Sequence, residues 1–452
     1  CIHMPDGGVN YYSDSYDDYM KGHGNSSWSY EKKSYNIFLE EADSLLGMES
    51  AREWVLLANA LDETNLRNKL VLDFVSELSN DYKLAPQSEY VELFVNGEYL
   101  GLYLLCERIR NVATDFLSQN DYLFICQNDH ISKVNHPYSA VQFANSLYFE
   151  IVPPSVSSDS GNDQFGNYLR RVAGVVGTDE WADYLDIDSF AKKYLIEEVF
   201  ANIDGVRASQ YYYWDRDNGR LYSGPCWDYD LALGYNTQIK WIAVNNLYIQ
   251  NGLWYKDIFL DQDFCNYYKQ LYRSDFLPLL NDLIENRIPE ICRTIDKAGS
   301  NNLLRWNSSF ASDIKTADDI IGFLSGHVDF LNSIWLEDEE YCKISFYYNG
   351  GGQAVTRYLL KNSSAGTIPT PEDMGFDSDH EWFVRGADRT LDRDMVITED
   401  ISLYIDNEPA PGYRHIRKYV SVLVLFTMFL FFMVLLFADY QLNYRKGRPA
   451  HE

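Results

Sequence analysis

The stretch from Glu197 to Asp230, EEVFANIDGVRASQYYYWDRDNGRLYSGPCWDYD, constrains the fold of this chain more than any other segment. Its first residues close a helical pattern. Asn218-Gly219 then separates two aromatic-rich runs, and this dipeptide between β-forming residues signals a hairpin because both positions tolerate positive φ. A two-residue turn at that point pairs Tyr213 with Gly224 and Ser209 with Asp228. Asp204 lies in the loop that enters the hairpin. One folded element is therefore expected to gather Asp204, Ser209, Asp228 and Asp230 at its open end. Oxygen ligands gathered in this way suit a hard divalent cation such as Mg²⁺.

The rest of the chain limits what such a site can serve. With 452 residues there is room for about two to three domains. The balance of 67 Asp and Glu against 38 Lys and Arg gives a net charge of −29, which argues against non-specific nucleic-acid binding through phosphate neutralisation. A local basic pocket for a phosphate remains compatible with that charge. The seven cysteines are widely spaced and form no CxxC or Cys/His pair, so they read as mostly buried thiols rather than a zinc site or a disulfide framework. The opening CIHMPDGGV reads as a strand and turn, so the chain is expected to begin inside a longer protein.

In chain order, residues 1–335 read as one large α+β unit with a strand-rich front and a helix-rich back, an arrangement expected to give two lobes with a cleft between them. GHGNSSW is a Gly/Ser turn before a strand that carries Lys33-Ser34-Tyr35-Asn36-Ile37. Leu66, Leu70, Phe74 and Leu78 recur at four-residue spacing and predict a helix from about Asp62 to Leu78, capped by Asp62 or Thr64. VELFVNGEYLGLYLLCE predicts a second hairpin turning at Asn96-Gly97, well buried because its runs alternate poorly. Residues 115–180 read as strand and loop, broken at Pro153-Pro154 and SSDSGND. DIDSFAKKYLIEEVF predicts a helix capped by Asp188 or Ser189. Residues 342–405 form a small strand-like module of their own. A basic linker at 406–418 follows, then an apolar stretch at 419–440 long enough to cross a bilayer as a helix, and a short basic tail at 441–452. Basic residues flank both ends of the apolar stretch, so the charge asymmetry does not decide its orientation.

Four blocks in order resemble the CotH family, the spore-coat-protein-H-like atypical protein kinases. They are GHGNSSW with KKSY, WVLLANALDETNLRNKLVLDF, YVELFVNGEYLGLYLLCERI, and EEVFANIDGVRASQYYYW with GPCWDYDLALG. The 342–405 module is similar to internalin-B-type (Listeria–Bacteroides) repeats through YYNGGG and ISLYID, a small β-grasp-like unit typical of bacterial surface proteins. The resemblance implies an atypical kinase-like bilobal fold that binds ATP with Mg²⁺ or Mn²⁺ and phosphorylates Ser or Thr hydroxyls of a protein. The repeat-like module implies that both folded domains lie outside the cytoplasm, and the apolar stretch at 419–440 is expected to anchor them as a single-pass membrane protein.

The same resemblance assigns roles. Asp204 matches the catalytic-loop aspartate, and Asp228 the metal-binding aspartate, with Ser209 and Asp230 as further metal ligands. Lys32 matches the lysine that reaches ATP phosphates, and Glu107 is its natural partner by analogy with the kinase Lys–Glu pair. Asn25, Ser26 and Ser27 offer the Gly-rich turn to phosphates, and Arg108 is a further phosphate contact. Two positions depart from the pattern. His23 stands where many relatives carry Arg, and Ser209 where a kinase places a metal-binding Asn, a loss that Asn202 or Gln210 could offset. Two other functions compete with phosphotransfer: a surface adhesin or scaffold that keeps the fold without turnover, and a metal-dependent hydrolase that uses the same carboxylates.

Overall fold

The structure, a computed structural model, describes residues 2–3, 9–11, 18–24, 26–78, 84–114, 117, 121–127, 140–143, 147–152, 159–205, 208–235, 243–250, 252–306, 314–348, 353–378, 380–385 and 389–405. The expected transmembrane segment 419–440 and its flanks at 406–418 and 441–452 lie outside these residues, as does Asn25. Among the described residues no helix is long and apolar enough to cross a membrane. The described residues form a mixed α+β protein with three sheets. It divides into two units, one of Cys1–Lys343 with Thr356–Lys361 and Asp373–Gly375, the other of Ile344–Val355, Asn362–Glu372 and Phe376–Glu452.

The first sheet comprises β1 (Ile2–His3), β2 (Val9–Tyr11), β3 (Tyr19–His23), β4 (Ser34–Asp43), β5 (Ala51–Leu57), β6 (Ser88–Val95) and β7 (Glu98–Glu107) in the spatial order β2-β1-β6-β7-β5-β4-β3. Asn96 and Gly97, with φ of 52° and 82°, join β6 to β7, and Val95 faces Glu98, so this hairpin has the expected two-residue turn. Strand β7 is buried on both faces. Leu102, Leu104 and Cys106 enter the main core, while Tyr103 and Leu105 enter a second core with Trp54, Leu56, Val91 and Leu93. Double burial removes the polar alternation that a half-exposed strand shows.

The helix Arg67–Leu78 begins later than the apolar spacing predicts. Asn65 takes φ 59°, which interrupts the helical backbone, and Asp62 caps from a distance by accepting from the Arg67 amide at 2.9 Å. Leu70 and Phe74 still face the core as expected.

The second sheet runs β12-β11-β8-β10-β9, with β8 (Tyr122–Gln127), β9 (Ala140–Phe143), β10 (Leu147–Ile151), β11 (Gln210–Asp215) and β12 (Arg220–Ser223). SSDSGND, read from sequence as a break, instead leads into the helix Asp159–Val175. Its body carries Phe165, Tyr168, Leu169 and Val172 at i, i+3, i+4 and i+7, all buried, and that apolar stripe outweighs a poor first turn. The helix Ile187–Val199 is capped by Asp186, whose carboxylate accepts from the Ser189 amide at 2.8 Å, rather than by Asp188 or Ser189.

Two π-turns, Tyr272–Phe276 and Leu283–Arg287, interrupt the helical stretch that starts at Gln262. Pro278 and Pro289 follow them closely. A proline ring presses on the carbonyl four residues earlier, here Ser274 and Glu285 inside the widened turns, and the extra width absorbs the clash. The helix Ala317–Trp335 opens on a capping box between Thr316 and Asp319.

The third sheet, β14-β13-β16-β15, is built from β13 (Tyr341–Tyr348), β14 (Gln353–Leu360), β15 (Trp382–Val384) and β16 (Ile401–Ile405), and β13 and β16 run parallel. Cys342, Ile344, Phe346 and Tyr348 alternate into its interior. Of the six described cysteines, all free thiols, four are buried.

Candidate active site

The β11–β12 hairpin forms, but its register is two residues away from the expected one. Tyr213 faces Tyr222 and Asp215 faces Arg220, so the connection is the four-residue loop Arg216–Gly219. Asp215 explains the shift. Its carboxylate accepts from the Asn218 amide at 3.0 Å and from the Asn218 side chain at 2.6 Å, which favours a type I turn followed by Gly219 at φ 69°. Asn218 is held out of the left-handed conformation that a two-residue turn requires.

The expected contact nevertheless forms. Ser209 Oγ donates to Asp228 Oδ2 at 2.7 Å. The two residues meet beyond the regular ladder because both backbones leave it, with φ of 54° at Ser209 and 70° at Asp228. Non-glycine residues adopt this region seldom, and a pair of them facing one another marks a locally strained site.

The carboxylates of this site crowd one another. Burial raises the pKa of Asp228 above its ordinary value and Asp204 raises it further, while the Ser209 hydrogen bond opposes the shift. Asp230 is raised well above its ordinary value by burial first, then by the charges of Asp228, Asp204 and Asp62. Asp228 and Asp230 also act directly on one another, and the Asp228 charge is the largest cause after burial of the rise at Asp230. Among the described residues no group of three His, Cys, Asp or Glu side chains is close enough to hold a metal by itself. Two crowded carboxylates and a hydroxyl do fit a hard cation, whose charge would offset the repulsion between them.

Lys32 and Glu107 are not brought together. Lys32 is buried and its ammonium donates to the carbonyl of Leu102, 4.6 Å from the centre of the Tyr103 ring. Glu107 lies five residues further along β7, about 16 Å away at ~3.3 Å per residue. Its carboxylate accepts from the Gln87 amide at 2.7 Å. The carboxylate whose charge reaches Lys32 is Asp62, in the loop before the helix Arg67–Leu78. Ser26 begins the 3₁₀ turn Ser26–Ser29, which also contains Ser27. Arg108 shares one oxygen of Glu53 with Arg110, at 2.6 Å for Arg108, and sits 5.8 Å from the Phe38 ring. Burial and the nearby Arg108 charge hold His23 at a pKa of about 4, so it stays neutral at physiological pH.

Burial also lowers the pKa of Lys32 to about 7. Below about pH 7 the amine is charged in folded and unfolded chains alike, and its burial cost is fully present. Between about 7 and 10.5 the unfolded chain holds a proton that the folded chain has released, so this group makes stability rise with pH. Denaturation midpoints of the wild type and Lys32→Met, compared at pH 6, 8 and 10, should show the wild type gaining on the variant as pH rises. A pH-independent difference would assign Lys32 an ordinary pKa.

Residues 20–330 match the family model described as CotH kinase protein. The chain belongs to the CotH family. Over 274 residues, 58% of this chain and 71% of the relative, it is 26% identical to the inner spore coat protein H of Bacillus subtilis (strain 168). The matched span includes the candidate residues Lys32, Asp204, Ser209, Asp228 and Asp230.

Several further residues support the backbone around this site. Asn68 Oδ1 accepts from the Tyr229 amide at 2.9 Å, and Arg67 Nε donates to the carbonyl of Ala232 at 2.9 Å. The adjacent Arg67-Asn68 pair thus holds the backbone at Tyr229 and again at Ala232, just after the WDYD block. Asn202 is fully buried, with Nδ2 donating to Glu197 at 2.6 Å and Oδ1 accepting from the Asp204 amide at 3.2 Å. Both ends of its amide are engaged in holding the loop, which leaves it unsuited to replace a metal ligand. Gln210 donates to the carbonyl of Ala208 at 3.2 Å.

Proposed function

We propose that the CotH domain is an ATP- and divalent-metal-dependent phosphotransferase acting on Ser or Thr hydroxyls of a protein. The observation that carries this reading is the Ser209–Asp228 contact at 2.7 Å, set in a group of carboxylates that includes Asp230 and Asp204. Phosphoryl transfer demands little covalent chemistry from a protein and depends on positioning and charge. Asp228, Asp230 and Ser209 would hold Mg²⁺ or Mn²⁺, which supplies charge stabilisation to the phosphate oxygens. Asp204 orients the acceptor hydroxyl and takes its proton as the hydroxyl oxygen bonds to the γ-phosphorus and the bond to the bridging oxygen of ADP breaks. Lys32 contributes a cation, and contact with phosphates would favour its charged form over the near-neutral pKa it has at the Leu102 carbonyl. Asp62, rather than Glu107, is the carboxylate that steadies it. The turn at Asn25, Ser26 and Ser27 contributes backbone amides.

The deciding experiment incubates the protein with γ-phosphate-labelled ATP and Mg²⁺ or Mn²⁺ and follows label on protein. Metal-dependent transfer to Ser or Thr supports the reading. Nucleotide binding without transfer favours the scaffold, and metal-dependent cleavage without nucleotide favours the hydrolase. Membrane anchoring through 419–440, with the folded domains outside the cytoplasm at a cell or spore surface, is part of the same proposal. Protease accessibility of the 342–405 segment on intact cells tests it.

A further inference from the structure

A buried chain of hydrogen bonds joins the two segments that carry Asp204 and Asp228. Its hub is Glu197, on the last turn of the helix Ile187–Val199 and fully buried. Glu197 Oε1 accepts from Lys193 Nζ at 2.6 Å and from the Tyr229 hydroxyl at 2.8 Å. Glu197 Oε2 accepts from Asn202 Nδ2 at 2.6 Å. Three donors converge on two oxygens, an arrangement that only an ionised carboxylate satisfies.

Each arm ends at the site. Through Asn202 the carboxylate reaches the Asp204 amide, which donates to Asn202 Oδ1 at 3.2 Å. Through Tyr229 it reaches the residue between Asp228 and Asp230. That tyrosine is held at its other end by its own amide, which donates to Asn68 at 2.9 Å. The Asp204 loop lies tight against the hub. A Cβ placed on Gly205 would stand 2.5 Å from Glu197 Oε2 and 3.0 Å from the Asn202 carbonyl, so the loop follows this path only with glycine there.

We infer that Glu197 is a positioning residue that sets the spacing between Asp204 and the Asp228–Asp230 pair through Asn202 and Tyr229. The inference rests on the phosphotransfer reading for its kinetic consequence, but the geometry it describes concerns the carboxylates whatever their reaction. A single buried anion that pins both segments couples their positions. Releasing either arm would therefore loosen the metal ligands and the acceptor-orienting aspartate together.

The test uses the full chain with two substitutions. Glu197→Gln keeps the volume but turns one oxygen into a donor, which then meets one of the three incoming donors. Tyr229→Phe removes one arm alone. Both are read for ATP KM against kcat, and for Mn²⁺ binding by electron paramagnetic resonance without nucleotide. Glu197→Gln is expected to lower kcat and weaken Mn²⁺ binding by about 10- to 100-fold, with KM for ATP unchanged within about 2-fold. Tyr229→Phe should give a smaller change of the same kind. Wild-type kcat and Mn²⁺ affinity in a Glu197→Gln protein that melts normally would overturn the inference. If Glu197→Gln does not fold, the Tyr229→Phe protein decides by the same criteria. A wild type that transfers no phosphate yet binds Mn²⁺, with weaker binding in the variants, would sink the phosphotransfer reading and leave the positioning role supported.

Discussion

Asp228→Ala is expected to reduce label transfer from γ-phosphate-labelled ATP by at least about 10²–10³-fold, the scale seen when one preorganised electrostatic group is removed from an active site. The loss should come without a loss of folding. Asp228 stands at positive φ, its pKa is raised by burial and by Asp204, and its charge in turn raises that of Asp230. Deleting it relieves crowding among like charges rather than breaking a favourable ion pair. The linkage has a definite sign. A carboxyl whose folded pKa exceeds its unfolded one binds more protons in the folded chain, so stability falls as pH rises from about 3.8 through the folded value. Asp228→Asn should reduce that fall, and thermal melts from pH 4 to 8 without divalent cation measure it. An inactive variant that melts at or above the wild type places the residue in the chemistry. Equal transfer by wild type and variant would end the proposal.

The largest stability effect is expected at Arg67. The side chain is fully buried, paired with an equally buried Asp62, and hydrogen-bonded to the carbonyls of Ala232 at 2.9 Å and Ile314 at 3.4 Å. Arg67→Met leaves Asp62 charged in a dry environment, and breaking one side of such a pair costs about 3–5 kcal/mol. Arg67→Lys is not conservative, because one ammonium cannot reproduce a planar fork that serves a carboxylate and two carbonyls. Removing both partners in Arg67→Met/Asp62→Leu should recover part of the loss. Urea denaturation of the three proteins tests this. A single-variant loss under about 1 kcal/mol would mean that water reaches the pair, since exposed pairs contribute on that scale.

Two Asn-Gly turns with the same local signature show where sequence reasoning stops. At Asn96-Gly97 both residues take positive φ and the register is the expected one. At Asn218-Gly219 the nearby Asp215 captures Asn218, and the register moves by two. The Ser209–Asp228 contact was predicted from that register yet exists because the chain leaves the ladder before it. The right pair was thus reached through a wrong strand alignment. The helix Asp159–Val175 shows the reverse failure. Its apolar stripe was legible, and the Ser, Gly and Asn residues around its start concealed it.

Features that depend on a few neighbouring residues were therefore readable from the chain alone. These are the α+β character, the helix stripe at Leu70 and Phe74, the tight turn at Asn96-Gly97, and the meeting of Ser209 with Asp228. Turn chemistry and side-chain period are local, so sequence carries them directly. Partnerships across the fold were decided by tertiary structure. Lys32 lies at Leu102 near Asp62 and not at Glu107, because the β7 carbonyl its ammonium meets follows from how the strands align. Beside its i,i+4 neighbour Lys193, Glu197 gathers Asn202 and Tyr229 because the helix end, the loop and the WDYD block meet in the interior. A buried charge must find its partners wherever the packed chain brings them, and no local pattern of residues encodes that meeting.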